Sequence, residues 1–127
     1  VSGFAVSYVA GGRFDPPFMP TKRFPFIEGI RIEMSSSEPV VVHKYTVPQD
    51  AELISIAMAA SRYYDTDYWG VKVNGKVLAK SIYTKDLPEG LYLMVVVPLK
   101  AGDEIELTYT NASQTGKAVW FNYQMLV

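Results

Sequence analysis

There is no cysteine in this chain, so neither a disulfide framework nor a thiolate metal site is available to it. Histidine is nearly absent as well, His43 being the one copy. Charge of one sign is missing: 12 Lys and Arg are interspersed with 13 Asp and Glu, for a formal net charge of -1. Without a basic stripe, nucleic acid is not an expected partner. No apolar run reaches the length of a membrane span, and the densest, Leu91 to Val97, is strand-sized, so no membrane partner is expected either. No signal-peptide pattern is visible, and the start at Val1 is compatible with removal of a preceding segment. Strong helical periodicity and internal repeats of 20–50 residues are also lacking.

What is present divides into two parts. Five of the six Phe (Phe4, Phe14, Phe18, Phe24 and Phe26) lie in the first 26 residues, and four of the eight Pro lie between Pro16 and Pro25. Each Pro fixes φ and removes a donor, so this strip cannot form a regular helix or a central strand. Eight of the nine Tyr lie from Tyr45 to Tyr123, among short alternating runs. Residues 1–26 therefore read as an extended N-terminal arm, and 27–127 as a β-sandwich domain. At 127 residues the chain is long enough for one domain with a sizeable core.

The alternation has period two. Ile30, Ile32 and Met34 form one stripe, as do Ile54, Ile56 and Met58, then Ile105, Leu107 and Tyr109. Val119, Phe121, Tyr123, Met125 and Val127 form the longest. Successive strand side chains face opposite sides, so each stripe predicts one core face. Asn74-Gly75 between Val71-Lys72-Val73 and Lys76-Val77-Leu78 predicts a type I′ hairpin. Pro88-Glu89-Gly90 and Ala101-Gly102-Asp103 read as turns, and Pro39 and Pro48 bracket a strand over 40–47. Ala51 to Ser61 has helix-favouring residues, but its Ile content and length favour strand. Seven or eight strands at this spacing predict a single antiparallel sandwich of jelly-roll type.

Candidate chemistry is sparse. His43 has no G-x-S-x-G elbow or Cys to serve, and the simpler reading is a strand histidine. Asp65-Thr66-Asp67 begins like a Ca²⁺ loop but continues Tyr68-Trp69-Gly70, so the EF-hand pattern fails. Asp103, Glu104 and Glu106 lie along one strand, where adjacent residues point to opposite faces, so the cluster does not supply two carboxyls facing each other over a glycosidic bond. No catalytic residue, metal site or cofactor is expected. Tyr63 to Trp69 concentrates four aromatics and two carboxylates. Rings stack on sugar C–H faces and carboxylates bind hydroxyls, making Tyr64, Asp65, Asp67, Tyr68 and Trp69 a candidate glycan-binding set. The competing reading buries Trp69 in the core. Asn111-Ala112-Ser113 matches the N-glycosylation sequon, and it also reads as a polar hairpin loop.

Pro98-Leu99-Lys100-Ala101-Gly102-Asp103-Glu104-Ile105-Glu106-Leu107 resembles the late-strand signature of jelly-roll modules. Together with Asp67-Tyr68-Trp69, Val73-Asn74-Gly75, Tyr83-Thr84-Lys85, Leu87-Pro88 and Lys117 to Phe121, it is similar to small β-sandwich proteins of bacteriophage virions. These serve as head decoration, tail, baseplate and fibre modules. The resemblance covers residues 45–127 and implies a non-enzymatic structural or adhesion role, in an oligomer, at a virion or extracellular location. The arm is outside it. Composition alone assigns Phe4, Tyr8, Phe14, Phe18, Phe24 and Phe26 to contacts with neighbouring protein subunits. The alternative function is a carbohydrate-binding module that engages a surface glycan.

Overall fold

A computed structural model describes residues 20–127. Eight strands follow in order: β1 (Pro25–Met34), β2 (Val40–Thr46), β3 (Ala51–Ala60), β4 (Tyr68–Val73), β5 (Lys76–Tyr83), β6 (Glu89–Leu99), β7 (Glu104–Thr110) and β8 (Lys117–Leu126). They form two antiparallel four-stranded sheets, β1-β8-β3-β6 and β2-β7-β4-β5. Most connections cross between sheets, and this strand order is that of a jelly roll.

The stripes meet between the sheets. Ile105, Leu107 and Tyr109 of β7 and Val119, Phe121, Tyr123 and Met125 of β8 are buried together. Trp69 packs its ring edge-on to Phe121 at 5.1 Å, and Tyr109 meets the same ring at 6.4 Å. Each large side chain buried in this way contributes about 1.5–3 kcal/mol. Asn74 (φ 49°) and Gly75 (φ 81°) both take positive φ, as the hairpin between β4 and β5 requires. The Asn74 carboxamide oxygen also accepts from the Glu104 amide at 2.9 Å, which ties the hairpin to β7.

Two expectations need correction. The stripe Ile54-Ile56-Met58 is out of phase, because β3 is bulged between Leu53 and Ser55. The extra residue shifts the alternation, so Leu53 and Ile56 are fully buried and Ile54 only partly. The body also begins earlier than residue 27. Pro25 pairs with Leu126 in β1, and Phe24 exchanges backbone hydrogen bonds with Val127 at 3.1 and 2.7 Å. Phe26 packs against its own core, whereas the Phe24 side chain is exposed. Phe26 is thus partly buried against the body's own core. The apolar alternation of β8 runs to the last residue, and β1 must start at Pro25 to pair with it. Phe4, Tyr8, Phe14 and Phe18 lie outside the described residues.

Candidate functional site

At one end of the sandwich, three core stripes each finish on a polar residue. Asp67 is in phase with Trp69 and Val71, Asn111 with Leu107 and Tyr109, and Lys117 with Val119 and Phe121. All three point inward and all three are buried. The Lys117 ammonium donates to the Asp67 carboxylate, to Asn111 Oδ1 at 2.8 Å and to Ser113 Oγ at 2.9 Å. Asp67 further accepts from the Tyr109 hydroxyl at 3.1 Å and the Ser113 amide at 2.9 Å. The Tyr64 ring lies 4.6 Å from Lys117 Nζ, a cation–π contact. Asn111 Nδ2 donates to the main-chain oxygens of Ser35, Glu38 and Thr115 at 3.2–3.4 Å. Thr84 closes the group by donating its amide to the Asp67 carbonyl at 3.0 Å. One buried ion pair therefore ties together four inter-strand connections.

Burial by itself pushes the Asp67 carboxyl upward, but hydrogen bonds from Lys117 and Ser113 more than reverse this and hold it below its usual value. Burial, and then the Asp67 charge, push the Tyr109 phenol up. Asp67 and Lys117 are both closed to solvent, so this pair is not a site for a diffusing substrate.

The expected glycan set does not converge. Trp69 is 1% exposed and belongs to the core, and Asp67 is spent on Lys117. Adjacent residues on a strand face opposite ways, so Tyr68 lies on the outer face of the second sheet while Trp69 points inward. Tyr64 turns to Lys117, and Asp65 alone of the two carboxylates is exposed. Tyr68 instead meets Tyr83 at 5.0 Å beside a groove lined by Gly70, Lys72, Ala79, Thr108 and Thr110. A Cβ on Gly70 would stand 2.9 Å from the Ala79 carbonyl oxygen, so glycine is required there. The sequon asparagine is fully buried and unavailable for glycosylation in the folded chain.

His43 faces inward on β2 opposite Leu107. Its Nδ1 is buried and makes no hydrogen bond among the described residues, so no carboxylate orients the ring. No group of three His, Cys, Asp or Glu suited to a metal occurs among the described residues.

The other end of the sandwich holds a second buried carboxylate. Glu52 is out of phase with core-facing Ala51 and Leu53, so it lies on the outer side of the first sheet. It is buried there and accepts from the Thr21 amide and the Lys22 amide, each at 2.9 Å, and from the Thr21 hydroxyl at 2.9 Å. Burial pushes its carboxyl up, and these donors bring it below its usual value. The chain thus enters the body pinned to the outer face of the first sheet. Further along that face a shallow trough has Ala57, Ala59 and Gly90 as its floor, with Trp120 and Tyr92 on its flanks.

The sequence offered a signal for the Asp67 cluster that motif reading passes over: a polar residue continuing an apolar stripe past the end of its strand. Nothing comparable marks Glu52, whose partners are two main-chain amides and the Thr21 hydroxyl.

Residues 22–127 match the domain of unknown function DUF8551. No curated protein matches the chain. Among solved structures, dimeric latent PorU from Porphyromonas gingivalis is similar at 13% identity, with a TM-score of 0.35 over 86% of this chain and 14% of that one. The chain spans about one-seventh of that protein's length. The chain belongs to the DUF8551 family.

Proposed function

For this DUF8551 domain we propose a non-enzymatic structural or decoration role in a virion or similar extracellular assembly, with the arm ahead of the Glu52 clamp, residues 1–19, contacting neighbouring subunits. One observation carries the reading: the outer face of the first sheet exposes large apolar side chains around a trough of small residues. Met94 is 88% exposed, Ile27 is 58% exposed, and Trp120 flanks a trough whose floor is alanine and glycine. Apolar surface gathered in this way marks a binding face more than scattered single residues do. A flat, small-residue trough beside aromatic rings suits an extended segment rich in Phe and Pro. The chain itself has such a segment in residues 1–19, and a second copy's segment is the occupant proposed. Jelly rolls serve in capsids and in lectins, which is support by analogy of fold only.

The test is Trp120→Lys, which places a charge in the trough without touching the core. The expected outcome is an unchanged thermal midpoint with a loss of self-association. Retained self-association at the same concentration would overturn the reading.

A second reading, glycan binding, moves from Trp69 to the Tyr68–Tyr83 pair. Two adjoining rings beside Lys72, Thr108 and Thr110 offer stacking faces with hydrogen-bonding neighbours. Retention on a glycan matrix that Tyr68→Ala abolishes would favour it.

A further inference from the structure

Joining a lysine to an asparagine side chain requires four things: a nitrogen next to the carboxamide, a base for the ammonium proton, an acid for the leaving nitrogen, and exclusion of water. All four are present in the cluster around Lys117. Its Nζ lies 2.8 Å from Asn111 Oδ1, and the carbonyl carbon is one bond of about 1.2 Å behind that oxygen. The Asp67 carboxylate is already hydrogen-bonded to Nζ. Asp67, Asn111 and the Lys117 side chain are closed to solvent, and the rings of Tyr64 and Tyr109 lie 4.6 and 5.9 Å from the nitrogen. Ser113 Oγ donates to Asn111 Oδ1 at 3.3 Å, where negative charge would develop on attack.

We propose that Lys117 and Asn111 join through an intramolecular isopeptide bond, with Asp67 as the proton shuttle. Asp67 takes a proton from the Lys117 ammonium. The freed lone pair attacks Asn111 Cγ, and the carbonyl electrons move to Oδ1. Asp67 passes its proton to Nδ2, the Cγ–Nδ2 bond breaks with its electron pair on nitrogen, and ammonia leaves. A second Nζ proton ends on Asp67, which becomes a neutral carboxylic acid. Atoms and charge balance without an oxidant, a cofactor or an energy source. The reaction happens once per chain. Holding the groups in contact inside a dry interior supplies the effective concentration that the same pair lacks in water. The bond would close the loop between β7 and β8 covalently in a chain that has no cysteine for a disulfide.

Asp67 is the competing electrophile, and reaction there would release water instead. A second carboxyl group would then be needed to relay the protons, and no other carboxylate hydrogen-bonds Lys117 among the described residues.

Intact-mass measurement of the purified full chain, followed by trypsin mapping, decides the matter. The expected mass is one ammonia below that of the sequence. Trypsin cannot cut after an acylated lysine, so residues 101–127 should appear as one peptide, with the 101–117 fragment missing. An unchanged mass with a free 101–117 peptide would overturn the proposal. So would loss of water with the cross-link on Asp67. Loss of ammonia with cleavage still occurring at Lys117 would mean a succinimide at Asn111, and would overturn it as well. Asp67→Asn should restore the full sequence mass, and a cross-link surviving in that variant would refute the shuttle. Should that variant not fold, the wild-type mass and map still decide.

Discussion

The two ends of β3 stand roughly 30 Å apart, at about 3.3 Å per residue, and each has a buried carboxylate near it. Asp67 faces inward, meets a lysine 50 residues away in sequence, and is sealed under the inter-strand connections. Glu52 faces outward, makes no ion pair among the described residues, and is covered by the chain arriving at Thr21 and Lys22. The first arrangement locks the fold to itself. The second fixes the root of a segment whose own sequence cannot form a core. A buried charge satisfied by a side chain of opposite sign is costly to break from either side. One satisfied chiefly by main-chain amides depends mostly on where the backbone runs. The closed end is therefore a stability device, and the Glu52 end is the one from which, under the proposed function, contact with a neighbour would be organised.

The sharpest way to break this contrast is to disturb what both ends share. Trp69→Ala should cost about 3–5 kcal/mol, as large-to-small core changes do, measured by denaturant unfolding. A fully stable variant would remove the core that separates the ends. Next in size is Lys117→Met, which leaves Asp67 buried and unpaired and should cost about 3–5 kcal/mol, a range overlapping that of Trp69→Ala. Adding Asp67→Leu to it should recover part of that loss, because no lone charge then remains buried. Glu52→Gln should cost less, about 1–3 kcal/mol, since the amide still accepts from Thr21 and Lys22. Equal losses at the two ends would erase the distinction. Smallest of all, Tyr68→Ala removes a surface ring contact worth about 0.5–1.5 kcal/mol and leaves self-association unchanged.

Acid should weaken both ends of the chain in which Lys117 and Asp67 are still an ion pair; once Lys117 is joined to Asn111, Asp67 is neutral and only the Glu52 end responds. The Asp67 and Glu52 carboxyls are held below their ordinary values of 3.8 and 4.5 in the folded chain. Each therefore binds protons more weakly folded than unfolded. Their contribution is complete above the unfolded values and is lost as pH falls through the folded ones. A thermal-midpoint series from neutral pH down to about 2 should fall steeply below about pH 4.5. The fall should be shallower in Glu52→Gln, by the share that Glu52 supplies.

Much of the fold was legible because a two-residue period reports directly on which face is buried. β7 and β8 are the plainest cases, since no bulge interrupts their own pattern, and the Asn74-Gly75 turn was legible even though the β4–β5 pairing shifts register on either side of Val71. β3 was harder, because a bulge resets the phase and the sequence carries no mark of where it falls. The start of β1 was misplaced by two residues, because Phe24 and Phe26 were grouped by composition with the other Phe residues. Their pairing with residues at the far end of the chain is a long-range fact. In the loop ahead of β4, aromatic density suggested a surface, but Trp69 and Tyr68 are adjacent and cannot share one. Asp67 and Lys117 meet only because two strands from different sheets end at the same place. Their phase with the apolar stripes was visible, and only the topology turns that phase into a contact.

The central claim, that residues before the Glu52 clamp bridge subunits while the closed end holds the body together, is tested most directly by sedimentation velocity. The full chain is compared with residues 20–127, which keep the clamp partners Thr21 and Lys22 and all of β1. The account predicts an oligomer for the full chain. It predicts a monomer for the truncated chain, with its thermal midpoint within a few degrees of the full chain's. Equal masses for the two chains would contradict it. A truncated chain that has lost stability would contradict it too, by placing that segment over its own body.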